Sequence, residues 1–143
     1  MHPIMQKIEH IGIAVHNLEE AETKYTSLLG TAPYKREEVS SEGVMTSFFK
    51  VGESKIELLA ATRPDSPIAK YLDKRGEGIH HIAYAVADIR ASMELLRAEG
   101  FTLLNEQPKP GADGKLICFV HPKDAHGCLT ELCQDIENTT DAG

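Results

Sequence analysis

Two histidines and two glutamates recur at matched places in this 143-residue chain. Glu9-His10-Ile11-Gly12-Ile13-Ala14-Val15 is echoed by Ile79-His80-His81-Ile82-Ala83-Tyr84-Ala85-Val86. With His10 aligned on His81, an Ile follows in both copies and a Val falls five places on, at Val15 and Val86. A helix-starting residue comes seven places on, at Asn17 and Asp88, and a helix-closing glycine follows at Gly30 and Gly100. Glu57, within Ile56-Glu57-Leu58-Leu59, trails His10 by nearly the interval at which Glu131, within Thr130-Glu131-Leu132, trails His81. A repeat of about 70 residues implies two related modules facing each other. Two imidazoles and two carboxylates form a mixed nitrogen and oxygen site suited to Co, Ni, Zn, Mn or Fe, with positions left open for water or substrate. A lone His or Glu on a strand is usually only a packed or solvated residue, but recurrence in both halves favours the site.

The elements that position these residues follow from strand parity, because side chains alternate faces. His10, Gly12 and Ala14 share one face of the first strand, and Ile11, Ile13 and Val15 the other. His81, Ala83 and Ala85 oppose Ile82, Tyr84 and Val86 in the second copy. Each His therefore lies on the face of small residues, which leaves room for a site, while the bulky face can pack on a helix. Glu57 and Glu131 likewise face away from their apolar neighbours. His80 points opposite to His81 and is expected to be packed or exposed. His121 and His126 fall in a loop with surface roles.

The first module reads as a strand at 7–16, a helix capped by Asn17 and closed by Gly30, and strands near 34–39, 44–51 and 55–60. Leu18, Ala21, Tyr25, Leu28 and Leu29 are the expected buried face of that helix. A linker helix lies within about 66–75, with Pro67 suited to its first turn. The second module reads as a strand at 79–86 and a helix capped by Asp88, with Ile89, Met93 and Leu96 inward. A strand beginning at 101–104, a long loop at 107–114, and strands at 115–120 and 128–133 follow. Gly111-Ala112-Asp113-Gly114 is a turn first and a pocket rim second. The polar tail at 135–143 is expected to fray.

Composition narrows the function classes. The chain is 41% hydrophobic and 26% charged, as in soluble globular proteins, with a formal net charge of -7. An acidic chain without a basic run argues against nucleic acid and against an anionic membrane surface. No apolar run approaches the ~18 residues of a membrane span, and the N-terminal residues lack a signal-peptide core. Cys118, Cys128 and Cys133 are odd in number and form no Cys-x-x-Cys pair, so buried reduced thiols in a cytoplasmic protein are expected.

These residues resemble the vicinal-oxygen-chelate superfamily, and within it the methylmalonyl-CoA epimerases. The resemblance spans about residues 7–134. It rests most on His10-Ile-Gly-Ile-Ala-Val, Lys55-Ile-Glu-Leu-Leu, Ser66-Pro-Ile-Ala-Lys-Tyr-Leu, Gly76-Glu-Gly-Ile-His-His-Ile-Ala and Phe119-Val-His-Pro-Lys-Asp. It implies an α+β fold in one domain over 1–143: two tandem βαβββ modules, about 7–62 and 78–134, forming a curved, incompletely closed eight-stranded barrel around a metal. It implies one divalent cation held by His10, Glu57, His81 and Glu131, cobalt first, with zinc, nickel or manganese as alternatives. The position of Glu57 is Gln in some members. Glu131 is implied as the catalytic acid/base as well. Some epimerases are assigned a second acid/base Glu after the glycine equivalent to Gly43. Here that stretch is Val44-Met45-Thr46, and Glu42 is the nearest carboxylate. The implied reaction interconverts (2R)- and (2S)-methylmalonyl-CoA in a homodimer. A glyoxalase I-type lactoylglutathione lyase and a non-catalytic ligand-binding member of the fold are the alternatives.

Overall fold

The computed structural model describes residues 4–136. The chain runs β1 (Met5–Ala14), α1 (Leu18–Leu29), β2 (Lys35–Val39), β3 (Val44–Val51) and β4 (Ser54–Ala61), then α2 (Pro67–Arg75) as a bridge. The pattern repeats as β5 (Gly78–Val86), α3 (Ile89–Ala98), β6 (Lys109–Pro110), β7 (Lys115–Val120) and β8 (Thr130–Asp135). The helix starts follow local chemistry. Asn17 accepts a hydrogen bond from the Glu20 amide at 2.9 Å, Ser66 from Ala69 at 3.0 Å, and Asp88 from Ala91 at 3.1 Å. Gly30 closes α1 at φ 74, a left-handed value that costs glycine little.

All eight strands form one sheet, in the order β2-β3-β4-β1-β5-β8-β7-β6. β1 pairs with β4 in parallel, and β5 pairs with β8 in parallel. The antiparallel β1–β5 pair joins the two halves, so the repeat is a pseudo-twofold about that pair. The α+β architecture of paired βαβββ units is thus realised as a curled, incompletely closed sheet. Two helices flank its convex face, one on each half. α1 packs Leu18, Ala21, Tyr25 and Leu29 against Val15, Phe49, Leu58 and Ala60, while α3 packs Ile89, Met93 and Leu96 against Val86, Cys118 and Leu132. Inside the curl, Ile68 and Leu72 of α2 close one end over Ala14, Val44 and Leu59.

Three local expectations differ from the structure. Leu28 is 72% exposed, because it lies off the arc shared by Leu18, Ala21, Tyr25 and Leu29. The strand expected to begin at 101–104 is reduced to one bridge, Leu103 to Val120, and β6 lies instead inside the expected loop. Pro108 and Pro110 lack the N–H that a ladder needs, which keeps this edge strand to two residues. The last strand starts at Thr130, leaving half-buried Cys128 in the preceding loop, while Cys118 and Cys133 are buried as expected; all three are free thiols. Residues 137–143 of the tail lie outside the described residues. Among the described residues no helix is long and apolar enough to cross a membrane.

A polar seam brings the two sheet edges together. Asp113 bonds Lys35 at 2.6 Å, Lys55 at 2.8 Å and the Tyr34 hydroxyl at 3.0 Å, and its amide donates to Glu37 at 2.9 Å. Lys109 of β6 lies 3.7 Å from Glu42, in the tight turn Ser40–Glu42 after β2.

Candidate metal centre and pocket

Strand register explains why the four expected residues meet. Ala83 opposes His10 on one side and Glu131 on the other, and Gly12 opposes His81 on one side and Glu57 on the other. The small partners make the space. A methyl added at Gly12 would come within 2.3 Å of the His81 ring, so β1 can carry only glycine where His81 lies down. His10, Glu57, His81 and Glu131 are all buried, on the four central strands β4, β1, β5 and β8. His10 Nε2 is 3.0 Å from His81 Nε2. Glu131 Oε1 lies 3.2 Å from His81 Nε2 and 3.6 Å from His10 Nε2. Glu57 Oε2 approaches His10 Nδ1 at 3.2 Å. Donor atoms of His10, Glu57 and His81 lie within 4.8 Å of one another.

Sequence parity missed two neighbours of this group. Glu9 Oε1 contacts His10 Nδ1 at 2.5 Å, and His80 Nδ1 contacts His81 Nδ1 at 2.9 Å. Strict alternation would send both to the opposite face. The β1–β5 register shifts between Ile8 and His10, and again between Gly12 and Ile13, so Glu9 and His80 are bulge residues that turn back towards the site. The pairing of two polar residues ahead of a small-residue run, Glu9-His10 and His80-His81, was the available signal. His121 keeps a surface role, accepting from the Lys123 amide at 3.1 Å.

The charges are unevenly compensated. Burial would push the Glu131 carboxyl up, but hydrogen bonds and attraction from His10 and His81 hold it well below the usual range. A dry cavity alone therefore does not set this group. Glu9 behaves alike: burial raises it, and His10 and Lys55 draw it down. Burial opposes charge on His10, but the surrounding carboxylates outweigh it and raise the imidazolium. Glu57 is left without enough positive charge, and burial pushes it upward. This nest of carboxylates and two converging imidazole nitrogens fits a divalent cation, which would supply the missing positive charge and take the place of the His10 proton.

Glu9, His10 and Cys133 also lie within 4.8 Å of one another. That group suits a cation poorly. Lys55 and Lys115 reach Glu9 at 2.7 and 3.8 Å, and burial pushes the Cys133 thiol up.

Above the four-residue cluster lies a pocket walled by Val39, Val44, Leu59, Ile68, Ile117 and Phe119. Glu42 and Lys109 stand on its lining, and Gly111 and Ala112 border it, so the turn at 111–114 is both a turn and a rim. Buried Thr46 also lines the wall.

The Glyoxalase/Bleomycin resistance protein/Dioxygenase superfamily matches residues 9–119. The chain belongs to this superfamily. Among its relatives, the ethylmalonyl-CoA/methylmalonyl-CoA epimerase of Cereibacter sphaeroides is 42% identical over 90% of the chain and 97% of its own length. Two solved structures superpose closely. One is a variant of the Streptomyces coelicolor methylmalonyl-CoA epimerase in complex with 2-nitronate-propionyl-CoA, with a TM-score of 0.89 and 38% identity, covering 93% of this chain and 99% of that one. The other is methylmalonyl-CoA epimerase from Mycobacterium tuberculosis, with a TM-score of 0.91 and 34% identity, covering 100% of this chain and 96% of that one. The superfamily match runs from within β1 to within β7, and the epimerase relative extends the likeness to 90% of the chain.

Proposed function

We propose that this chain is a methylmalonyl-CoA epimerase that interconverts the (2R) and (2S) forms by moving the α-proton. The observation that carries the reading is the convergence of His10, Glu57, His81 and Glu131 at the floor of an apolar-walled pocket, in a chain so close to named epimerases. The α-carbon lies between a thioester and a carboxylate, so its proton is weakly acidic. His10, Glu57, His81 and Glu131 would hold one divalent cation, cobalt by preference over zinc, nickel or manganese. When bound, that cation supplies Lewis-acid stabilisation of negative charge on the substrate oxygens.

Glu131 serves one face of the α-carbon, taking or returning the proton through a carboxylate oxygen beside the two imidazoles. His10 and His81 hold it ionised in the folded chain. Glu42, Glu57, His80 and Lys109 also stand on the pocket lining, so the group serving the opposite face is sought among them or in a water. Val39, Val44, Leu59 and Phe119 exclude water from the reacting carbon, which strengthens every polar interaction at the floor. The chain acts as a homodimer in the cytoplasm in this reading. The dimer is supported by the convex face of β1–β5, where Ile8 pairs with Tyr84 and Ile11 with Ile82, and Ile8 is 42% exposed.

The purified protein, assayed with (2S)-methylmalonyl-CoA and separately with the hemithioacetal of glutathione, decides the reading. Epimerisation of the first without turnover of the second is expected. The reverse result would replace it with a lactoylglutathione lyase, and activity on neither would leave a ligand-binding protein.

A further inference from the structure

We propose that Glu9 and His80 are positioning residues that hold the outer nitrogens of His10 and His81, so that both rings present Nε2 to the cation site. This rests on the metal reading above and adds two residues to it. The pseudo-twofold places them at equivalent positions, each one residue ahead of its histidine, and each is turned inward by its own bulge. A bulge costs ladder pairing and is a built feature where it re-aims a side chain. Two independent bulges at matched places, each delivering a polar atom to an imidazole Nδ1, give that re-aiming a common purpose. The two Nε2 atoms lie 3.0 Å apart and share Glu131 Oε1, while Glu9 and His80 engage Nδ1 of the two rings, and Glu57 Oε2 stands farther off, 3.2 Å from His10 Nδ1.

The proton arrangement follows from this geometry. An imidazole that gives Nε2 to a cation must keep its proton on Nδ1. His10 Nδ1–H then donates to the Glu9 carboxylate. His81 Nδ1–H donates to His80 Nδ1, which must be a bare acceptor, so His80 is neutral with its proton on Nε2. The two positioning groups are themselves anchored. Lys55 holds Glu9 at 2.7 Å, and the Tyr71 ring stacks edge-on against His80 with centroids 4.9 Å apart. The halves are therefore alike in geometry but not in charge. A carboxylate behind His10 makes that ring the stronger donor, while an imidazole behind His81 chiefly orients it.

The test is calorimetric titration of zinc into chelator-stripped wild type, Glu9→Ala, Glu9→Gln, His80→Phe, His80→Asn and His10→Ala proteins. A long-range proton–nitrogen spectrum of zinc-loaded, histidine-labelled protein accompanies it. Glu9→Ala and His80→Phe are expected to weaken zinc about 10- to 100-fold. Glu9→Gln and His80→Asn, which each restore an acceptor oxygen, are expected to recover part of it. The wild-type spectrum is expected to show both rings protonated at Nδ1, and loss of that signature in the Ala and Phe variants. If burying Lys55 without Glu9 unfolds Glu9→Ala, the Gln and His80 variants decide. Wild-type affinity in His80→Phe and Glu9→Ala, with binding lost in His10→Ala, would overturn the positioning roles and leave the metal site standing. Undiminished binding by His10→Ala would overturn the metal site and the positioning roles together.

Discussion

Glu131 lies 3.2 Å from His81 Nε2 and 3.6 Å from His10 Nε2 and lines the pocket, so the proposed proton transfer is tested there first. Glu131→Gln keeps an oxygen for coordination but cannot carry a proton. Turnover is expected to fall by about 100-fold or more, the scale of general acid–base catalysis. Exchange of the substrate α-proton with deuterated solvent tells what remains: if Glu131 serves one face, the variant still washes deuterium into one epimer without inverting it. Exchange and inversion near wild-type rates would remove Glu131 from the mechanism. Glu42→Gln, run alongside, tests the pocket-lining carboxylate that precedes the strand of Thr46 in the chain. His10, Glu57, His81 and Glu131 were legible in the sequence because each type recurs at a matched place. Glu9 and His80 were not, because parity assumes an unbroken ladder and both sit where the ladder slips. The downward hold on Glu131 was equally hidden, since it depends on distances to two rings that only the folded chain brings near.

At the scale of elements, the site depends on how closely β1 and β5 approach. Gly12 is the contact that permits it, for a Cβ there would meet His81 Cε1 at 2.3 Å and Nδ1 at 2.7 Å. Gly12→Ala is expected to keep the fold, since the clash falls on a side chain, and to weaken metal binding about 10- to 100-fold by displacing an oriented ligand. Calorimetry with a circular dichroism control checks this, and wild-type affinity would show that His81 can bind from another position. The seam at Asp113 is the second element-level device. Burial alone would raise this carboxyl, but Lys35, Lys55 and Tyr34 hold it at about 2, against 3.8 unperturbed. A depressed folded value means that the charge stabilises the fold above about 3.8 and that this contribution fades as pH falls towards about 2. Asp113→Asn, which also tolerates the left-handed backbone at φ 61, should therefore be less stable than wild type at neutral pH in urea, with the gap closing under acid. A gap independent of pH would assign the loss to packing rather than charge. The helices and most strands were legible from caps and periodicity. The edge strand β6 was not, because two prolines in a loop look like a loop until a neighbouring strand offers them a partner.

At the scale of the molecule, the two βαβββ halves meet along β1–β5, and everything that crosses this line bears on assembly. On the convex side, the paired Ile8, Ile11, Ile82 and Tyr84 lie between α1 and α3, and a second copy is expected to cover them. Light scattering at micromolar concentration should give twice the chain mass, Ile8→Lys should lower it, and a monomeric wild type would sink the dimer. On the concave side, His10 and Glu57 come from the first half, His81 and Glu131 from the second, so a bound cation ties the halves together. It binds the folded chain and not the dispersed ligands of the unfolded one. At 100 times its dissociation constant it should therefore add about 2.7 kcal/mol. For a chain of this size that is a rise in Tm of about 10 °C. Melting curves of chelator-stripped protein with cobalt, zinc, nickel and manganese, each then reversed with excess chelator, measure it directly. Without the cation, the protein must hold several buried carboxylates around one imidazolium, so the stripped form should gain most from the metal that matches the site. The order of the four Tm shifts ranks the metals independently of catalysis. His10→Ala should erase the shift while leaving the stripped protein folded. An unchanged Tm with all four metals would show that the cluster holds its charges with protons alone.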